Sequence, residues 1–286
     1  MVSYGTEFGF CVHQFNELQA ELIRDSGSKW VRTDIETINE TNGPVVRKMD
    51  GYQNYGQKLL GIIDYWTIPP RIRANFTIED WENVLTAVAT KFKGIIKAYE
   101  IWSEPDGIMG PPATSGYQNG PDHYFEMLKV AYNTIKGIDP NAIVIAGALT
   151  NPVNETFSLR ILQLGASNYM DVFSIHTYSH LLQQNYSLLV SRYFELSGKP
   201  IWITEIGYPA STPAQEQSQA DFMRAHFTEL VNGKVKPEVI LWYMCRDDPT
   251  WHDAESSEAM GVLYANFTPK LAYQVFKNFA NNASLP

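Results

Sequence analysis

The sequence predicts an α/β chain closed into a single (β/α)8 TIM barrel, one domain over residues 1–286. Two observations carry that expectation. Eight short apolar runs alternate with amphipathic segments, and no long low-complexity linker divides the chain. An open doubly wound sheet normally carries a phosphate-cradling glycine loop after an early strand, and neither G-x-G-x-x-G nor G-x-x-x-x-G-K-S/T occurs. Strands joined to parallel neighbours through helices cross over right-handedly, and eight such units close naturally.

The strand-like runs, in order, are FGFCVHQF (8–15), KWVRTDI (29–35), KLLGIIDYW (58–66), IKAYEIW (96–102), AIVIAGAL (142–149), DVFSIHTY (171–178), PIWITEIG (200–207) and EVILWYMC (238–245). After the first, NELQAELIRDSG (16–27) spaces its apolar residues three and four apart and stops at glycine, as a capped helix does. After the second, residues 39–57 are too rich in Gly, Asn and Pro for a full helix. After the third, TIEDWENVLTAVATKFKG (77–94) opens on Thr77 and Asp80, close to a capping box, and sets Trp81, Val84, Leu85 and Val88 on one face. The segment GPDHYFEMLKVAYNTIKGIDP (120–140) is bounded by Pro121 and by Gly137 and Pro140. The segment TPAQEQSQADFMRAHFTELVNG (212–233) has Pro213 near its start and Gly233 at its end, and KLAYQVFKNF (270–279) supplies a final helix.

Composition narrows the function. With 44% hydrophobic and 19% charged residues the chain has ordinary globular character. A net charge of −9 with no Lys/Arg cluster argues against nucleic acid as a partner. The longest apolar runs reach about half of the roughly 20 residues that span a bilayer, so no membrane span is expected. The N-terminus lacks a basic region followed by an apolar one, and any export signal is expected to be absent from this chain. Asn-x-Ser/Thr sequons at Asn39, Asn75, Asn154, Asn185, Asn266 and Asn282 fit either chance in an Asn-rich chain or glycosylation of a secreted or cell-surface protein. Cys11 and Cys245 form no C-x-x-C pattern; although their strands would be neighbours in a closed barrel, two free buried thiols are expected.

Two of the runs end alike. KAYEIWSEPDG (97–107) and KPIWITEIGYP (199–209) each carry an apolar stretch into one carboxylate, Glu104 and Glu205, followed by a turn. A lone Glu at a strand end is ordinarily a salt-bridge partner or helix cap. Two of them on the fourth and seventh strands of a barrel face one another across its C-terminal mouth, where active sites of this fold lie. Paired carboxylates across a sugar-sized cleft suit glycosidic bond cleavage, one protonating the leaving oxygen while the other attacks the anomeric carbon or activates water.

The residues also carry a resemblance. EIWSEPD resembles the acid/base motif (E-x-W-N-E-P) of the retaining glycoside hydrolases of clan A, especially families 39 and 5, and WITEIGYP is similar to that clan's nucleophile strand. WVRTDI resembles the second strand, whose arginine steadies the nucleophile; SIHTY resembles the sixth; LWYMCRD resembles the eighth with its aromatic platform. The resemblance implies a retaining O-glycosyl hydrolase without metal or organic cofactor, with Glu104 as acid/base and Glu205 as nucleophile. It also implies an oligo- or polysaccharide substrate contacted by Arg32, Ser103, His176, Tyr178 and Trp242. Glu205 must then be ionised, with Arg32 and Tyr178 as its neighbours, and Glu104 is expected to start protonated. Ser103 stands where the clan usually has an Asn donating to the sugar 2-hydroxyl, and its shorter side chain offers one proton where an amide offers two.

Other side chains are candidates by position. Trp66 and Trp251 fall at or beyond predicted strand ends, where an indole can cover a pyranose, although Trp66 serves equally as core. Glu100 and Trp102 share the parity of Glu104 and are expected to point to its side, with Glu100 a hydrogen-bonded carboxylate below the site. Arg246, Asp247 and Asp248 fit either substrate contacts or a solvated charge cluster. His176 and His180 lie four apart, the spacing of a metal pair on a helix, but here the segment reads as a strand entering a loop. An open cleft acting within a β-linked glucan, mannan or xylan is the preferred expectation, with exo action or a catalytically weak carbohydrate-binding barrel as alternatives.

Overall fold

The structure is a computed structural model that describes residues 5–37, 49–107, 120–178, 185–248 and 259–281. Eight strands form the barrel: β1 (Glu7–Cys11), β2 (Trp30–Asp34), β3 (Lys58–Ile63), β4 (Ile96–Ile101), β5 (Ile143–Leu149), β6 (Val172–His176), β7 (Ile201–Ile206) and β8 (Val239–Trp242). They pair in parallel in sequence order, and β8 returns to β1 to close the cylinder. The expected (β/α)8 barrel is therefore the observed one.

Among the described residues seven helices follow the strands: α1 (Glu17–Asp25), α2 (Ile78–Lys91), α3 (Gly120–Ile138), α4 (Thr156–Gln163), α5 (Tyr186–Ser197), α6 (Glu216–Asn232) and α7 (Leu271–Ala280). Thr77 and Asp80 complete the capping box at the start of α2. Between β2 and β3 the described residues hold only a short 3-10 helix, Met49–Tyr55, as the Gly- and Asn-rich composition leads one to expect. Neither α4 nor α5 is among the helices expected from the pattern, although α5 has clear end signals. The Asn185 side chain accepts from the Leu188 N–H at 2.9 Å, and Gly198 ends the helix at φ 65°.

Strand alternation sorts the side chains into two apolar layers. Inside the barrel lie Leu60, Ala98, Ile145, Val172 and the indoles of Trp30 and Trp202, which meet edge-on at 4.8 Å. Outside, the helices pack on the other faces of the same strands. Cys11 belongs to the inner layer and Cys245 to the outer, so the barrel wall separates two free, buried thiols. Toward the C-terminal mouth the filling turns polar, with Arg32, Glu100, Ser174, His176, Thr204 and Glu205 all buried. Among the described residues no helix is long and apolar enough to cross a membrane.

Candidate active site

Glu205 lies at the end of β7, in register with His176 on β6. Both of its oxygens are engaged. Arg32, on β2, donates from Nη1 to Oε1 at 2.6 Å, and the Tyr178 hydroxyl donates to Oε2. Arg32 is itself fixed from the other side by Nε donating to Glu100 Oε2 at 2.6 Å. The second oxygen of Glu100 accepts from Thr204 Oγ1 at 3.0 Å, the Ala148 N–H at 3.2 Å and Ser174 Oγ at 3.4 Å. One buried cation is thus divided between two buried carboxylates.

Glu104 reaches the same mouth by a different route. β4 ends at Ile101, and Trp102 and Glu104 then take left-handed backbone angles, φ 67° and 54°. Non-glycine residues rarely adopt these, and such strain gathers at functional sites. The segment is held by Trp102 N–H donating to the Ile63 carbonyl at 2.8 Å and Glu104 N–H donating to the Ala148 carbonyl at 3.0 Å. It crosses β5 so closely that a Cβ at Gly147 would lie 2.1 Å from the Trp102 carbonyl oxygen, which explains the glycine within an otherwise apolar strand. The Glu104 carboxylate Oε1 sits 2.9 Å from His176 Nδ1. Ligand atoms of Glu104, His176 and Glu205 all lie within 4.8 Å of one another.

The charges in this cluster set where its proton resides. Burial alone would push the Glu104 carboxyl up, but the His176 hydrogen bond and charge, with Arg32 behind them, hold it below its ordinary 4.5. Burial likewise opposes protonation of His176, yet the charges of Glu205 and Glu104 lift it above its ordinary 6.5. The shared proton therefore rests on His176 Nδ1, donated to an ionised Glu104. A Glu104 that starts protonated is not what this geometry favours, because the ring at 2.9 Å outweighs burial. Tyr178 stays protonated, raised well above 10 by burial and the charge of Glu205.

The three ligand atoms are also close enough together to face a cation. Both Glu205 oxygens already accept from Arg32 and Tyr178, and a dication seated there would confront the buried guanidinium at close range. The donor set fits proton transfer better than metal ligation.

Arg32, Ser103, His176, Tyr178, Glu104 and Glu205 thus converge, as the motifs imply. Ser103 Oγ accepts from Arg32 Nη2 at 3.3 Å. Trp242 does not join them. Its indole is fully buried in the outer layer near Phe222 and Phe227, and its Nε1–H donates to the Met260 carbonyl at 2.8 Å. Val239 and Leu241 point inward on β8, so alternation turns Trp242 outward and Tyr243 into the mouth. Trp102 is a second correction. The left-handed turn cancels its expected parity with Glu100 and sends its ring against Trp81 at 6.2 Å and Phe76 at 6.5 Å, in the outer layer. Trp66 is half exposed beyond β3, beside Tyr65 and under the Arg73 guanidinium. Asp247 pairs with the buried Lys270, and Arg246 Nη1 donates to the Ala265 carbonyl. Trp251, His180 and most of the loop after Glu104 lie outside the described residues.

A polar wall that the motif reading missed runs from Tyr243. His13 Nε2 lies 3.2 Å from the Tyr243 hydroxyl, and His13 Nδ1 lies 2.9 Å from Asp34 Oδ2. Beyond it Asp64 is pushed up to about 7 by burial and the charge of Asp34. Alternation from Cys11 to His13 and from Arg32 to Asp34 would have found the first two.

Comparison with known proteins bears on the core sequence and the fold. Residues 154–264, which include His176, Tyr178 and Glu205, match the family model for the glycosyl hydrolase catalytic core. No curated protein matches the sequence. Among solved structures, a family 39 glycoside hydrolase from the gut symbiont Bacteroides cellulosilyticus WH2 is similar at 20% identity and a TM-score of 0.75, over 98% of this chain and 64% of that one. Xylanase 10B from Thermotoga petrophila RKU-1 is similar at 17% identity and a TM-score of 0.72, over 98% of this chain and 95% of that one. Exo-beta-1,4-mannosidase Op5Man5 from Opitutaceae bacterium strain TAV5 is similar at 15% identity and a TM-score of 0.76, over 98% and 60%. The chain spans less than two thirds of the length of the family 39 and mannosidase structures. At these identities the likeness is one of fold.

Proposed function

We propose that this chain, of which residues 154–264 match the glycosyl hydrolase catalytic core and whose eight strands close into a barrel, is a retaining β-glycosidase of the clan A type acting within a β-linked polysaccharide of the glucan, mannan or xylan type. One observation carries the reading: carboxylate oxygens of Glu104 and Glu205 lie within 4.8 Å of each other across the mouth. Retaining enzymes hold their carboxyl groups about 5–5.5 Å apart, whereas inverting ones need about 6.5–9.5 Å to admit a water.

In the first step a Glu205 oxygen attacks the anomeric carbon as its bond to the leaving oxygen breaks. The proton that His176 Nδ1 donates to Glu104 passes through that carboxylate to the departing oxygen, which leaves His176 neutral and Glu104 ionised. In the second step Glu104 takes a proton from water, whose oxygen attacks the same carbon and releases Glu205. Ser103 accepts from Arg32, which leaves its own hydroxyl proton to donate to a sugar hydroxyl. Tyr243, rather than Trp242, offers the ring beneath the sugar. The half-exposed Trp66 supports action within a chain, since it can hold a residue away from the reacting bond. Exposure of the sequon residues Asn75, Asn154, Asn185 and Asn266 supports a secreted or cell-surface protein.

The test is polysaccharide hydrolysis followed by anomeric NMR and mass analysis. β-Configured oligosaccharides should appear first. Initial α-products would overturn the double displacement, and monosaccharide alone would overturn action within the chain.

The proton's location gives a pH prediction. His176 is raised, so its ion pair stabilises the fold fully below about pH 6.5 and is lost as pH climbs through the raised value. Glu104 is lowered, so its share is present above about pH 4.5 and is lost as pH falls through the lowered value. Activity should decline on the alkaline side when the shared proton leaves, above 6.5. In His176→Gln the proton has only Glu104 to hold it, so the alkaline limb of kcat/KM should move to lower pH. An unmoved limb would show that His176 does not store the proton.

A further inference from the structure

Glu100 is fully enclosed, at 0% exposure, yet the two-step mechanism gives it no chemical role. Its surroundings are unusually complete for a residue that would merely fill space. Arg32 Nε approaches one oxygen at 2.6 Å, and the Thr204 hydroxyl, the Ala148 N–H and the Ser174 hydroxyl approach the other. These partners come from β2, β5, β6 and β7, so Glu100 is held from four strands. An isolated buried carboxylate is strongly disfavoured, and a site that meets this cost with four donors keeps the charge in place.

Consider the charge on Arg32 through the reaction. At rest the guanidinium, 3% exposed, is shared by Glu100 and Glu205, each at 2.6 Å. When Glu205 becomes a glycosyl ester it is neutral and no longer a counter-ion. Without another anion Arg32 would then be a buried, unpaired cation, and the cost would fall on the step that forms the ester. Glu100 forms no bond to the sugar in that cycle and stays beside Arg32 at 2.6 Å. It also splits the guanidinium's attraction, so that Glu205 is oriented without being fully neutralised as a nucleophile.

We propose that Glu100 is a positioning residue that serves as the standing counter-ion of Arg32, and that its charge specifically favours formation of the covalent glycosyl-enzyme. The inference rests on Glu205 being the nucleophile, as proposed above. Removing the negative charge should slow attack by Glu205, because Arg32 then binds the free carboxylate undivided and is stranded when the ester forms. Release of the ester should not be slowed, since that step restores the anion beside Arg32.

The experiment follows ester formation directly. Wild type and Glu100→Gln are treated with a 2,4-dinitrophenyl 2-deoxy-2-fluoro-β-glycoside, gluco- or manno-configured according to which unfluorinated parent the wild type hydrolyses. The fluorine slows the second step, so the sugar accumulates on the nucleophile and is located by peptide mass spectrometry. Glutamine keeps the shape and an acceptor for Thr204, Ser174 and the Ala148 N–H. Labelling of Glu205 should be about 100-fold slower in the variant at an unchanged melting temperature. Labelling at the wild-type rate would overturn the inference. If Glu100→Gln does not fold, Glu100→Asp keeps the charge but withdraws it from Arg32; slowed labelling supports the proposal and an unchanged rate overturns it. Failure of the wild type itself to be labelled at Glu205, despite hydrolysing the parent glycoside, would instead remove the nucleophile assignment on which the inference stands.

Discussion

Glu205→Gln is expected to lower kcat on the β-glycoside by on the order of 10⁴-fold or more, because an amide cannot form the glycosyl ester. Stability should change little. Arg32 keeps Glu100 at 2.6 Å, Tyr178 still has an oxygen to donate to, and one buried negative charge is removed from a crowded site. Loss of activity without loss of fold separates a chemical role from a structural one. A second variant sharpens the result: Glu205→Ala leaves a space beside the anomeric carbon that azide can enter. Attack by that anion would yield the α-glycosyl azide, inverted because only one displacement has occurred. A variant that keeps more than about a tenth of wild-type kcat would remove Glu205 from the mechanism.

Much of this site was legible in the chain, and the physical reason is strand periodicity. An apolar run that buries alternate residues on both faces must end where its next side chain meets water, and the carboxylates of KAYEIWSEPDG and KPIWITEIGYP stand at such ends. Arg32 and Tyr178 come from the resemblance of WVRTDI and SIHTY to the clan's strands, and they fit the need to keep Glu205 ionised. What escaped the reading lies where periodicity breaks or must be counted carefully. Trp102 is turned outward by a left-handed φ of 67° that no side-chain pattern announces. The resemblance of LWYMCRD to the clan's eighth strand points to Trp242 as the aromatic platform, whereas counting inward positions from Val239 selects Tyr243. The resting place of the proton depends on a 2.9 Å contact between β6 and the segment after β4, seventy-two residues apart in sequence. Such contacts are a property of the closed barrel, and local sequence is silent on them.

Glu104→Ala should reveal the acid role through the leaving group. For a 2,4-dinitrophenyl β-glycoside, whose phenolate departs without a proton, the first step should proceed at nearly the wild-type rate. For an unactivated oligosaccharide the leaving oxygen needs the proton, and kcat/KM should fall by about 10²–10⁴-fold. The alkaline limb of the profile should disappear on the activated substrate, since no proton is then required. Removing Glu104 also strips His176 of the carboxylate that lies 2.9 Å from Nδ1, leaving Glu205 as its remaining anionic neighbour, at 3.6 Å from Nε2. The second step, which needs a base, should then become limiting, so that the activated substrate gives a burst of phenolate followed by slow turnover. Azide, which needs no base, should restore turnover and give the β-glycosyl azide, the configuration opposite to that from Glu205→Ala. The two variants therefore test one geometry from its two sides: attack from the Glu205 face inverts once, and attack from the Glu104 face inverts again. Equal losses on both leaving groups, or the same azide anomer from both variants, would be incompatible with a proton donor at Glu104 facing a nucleophile at Glu205.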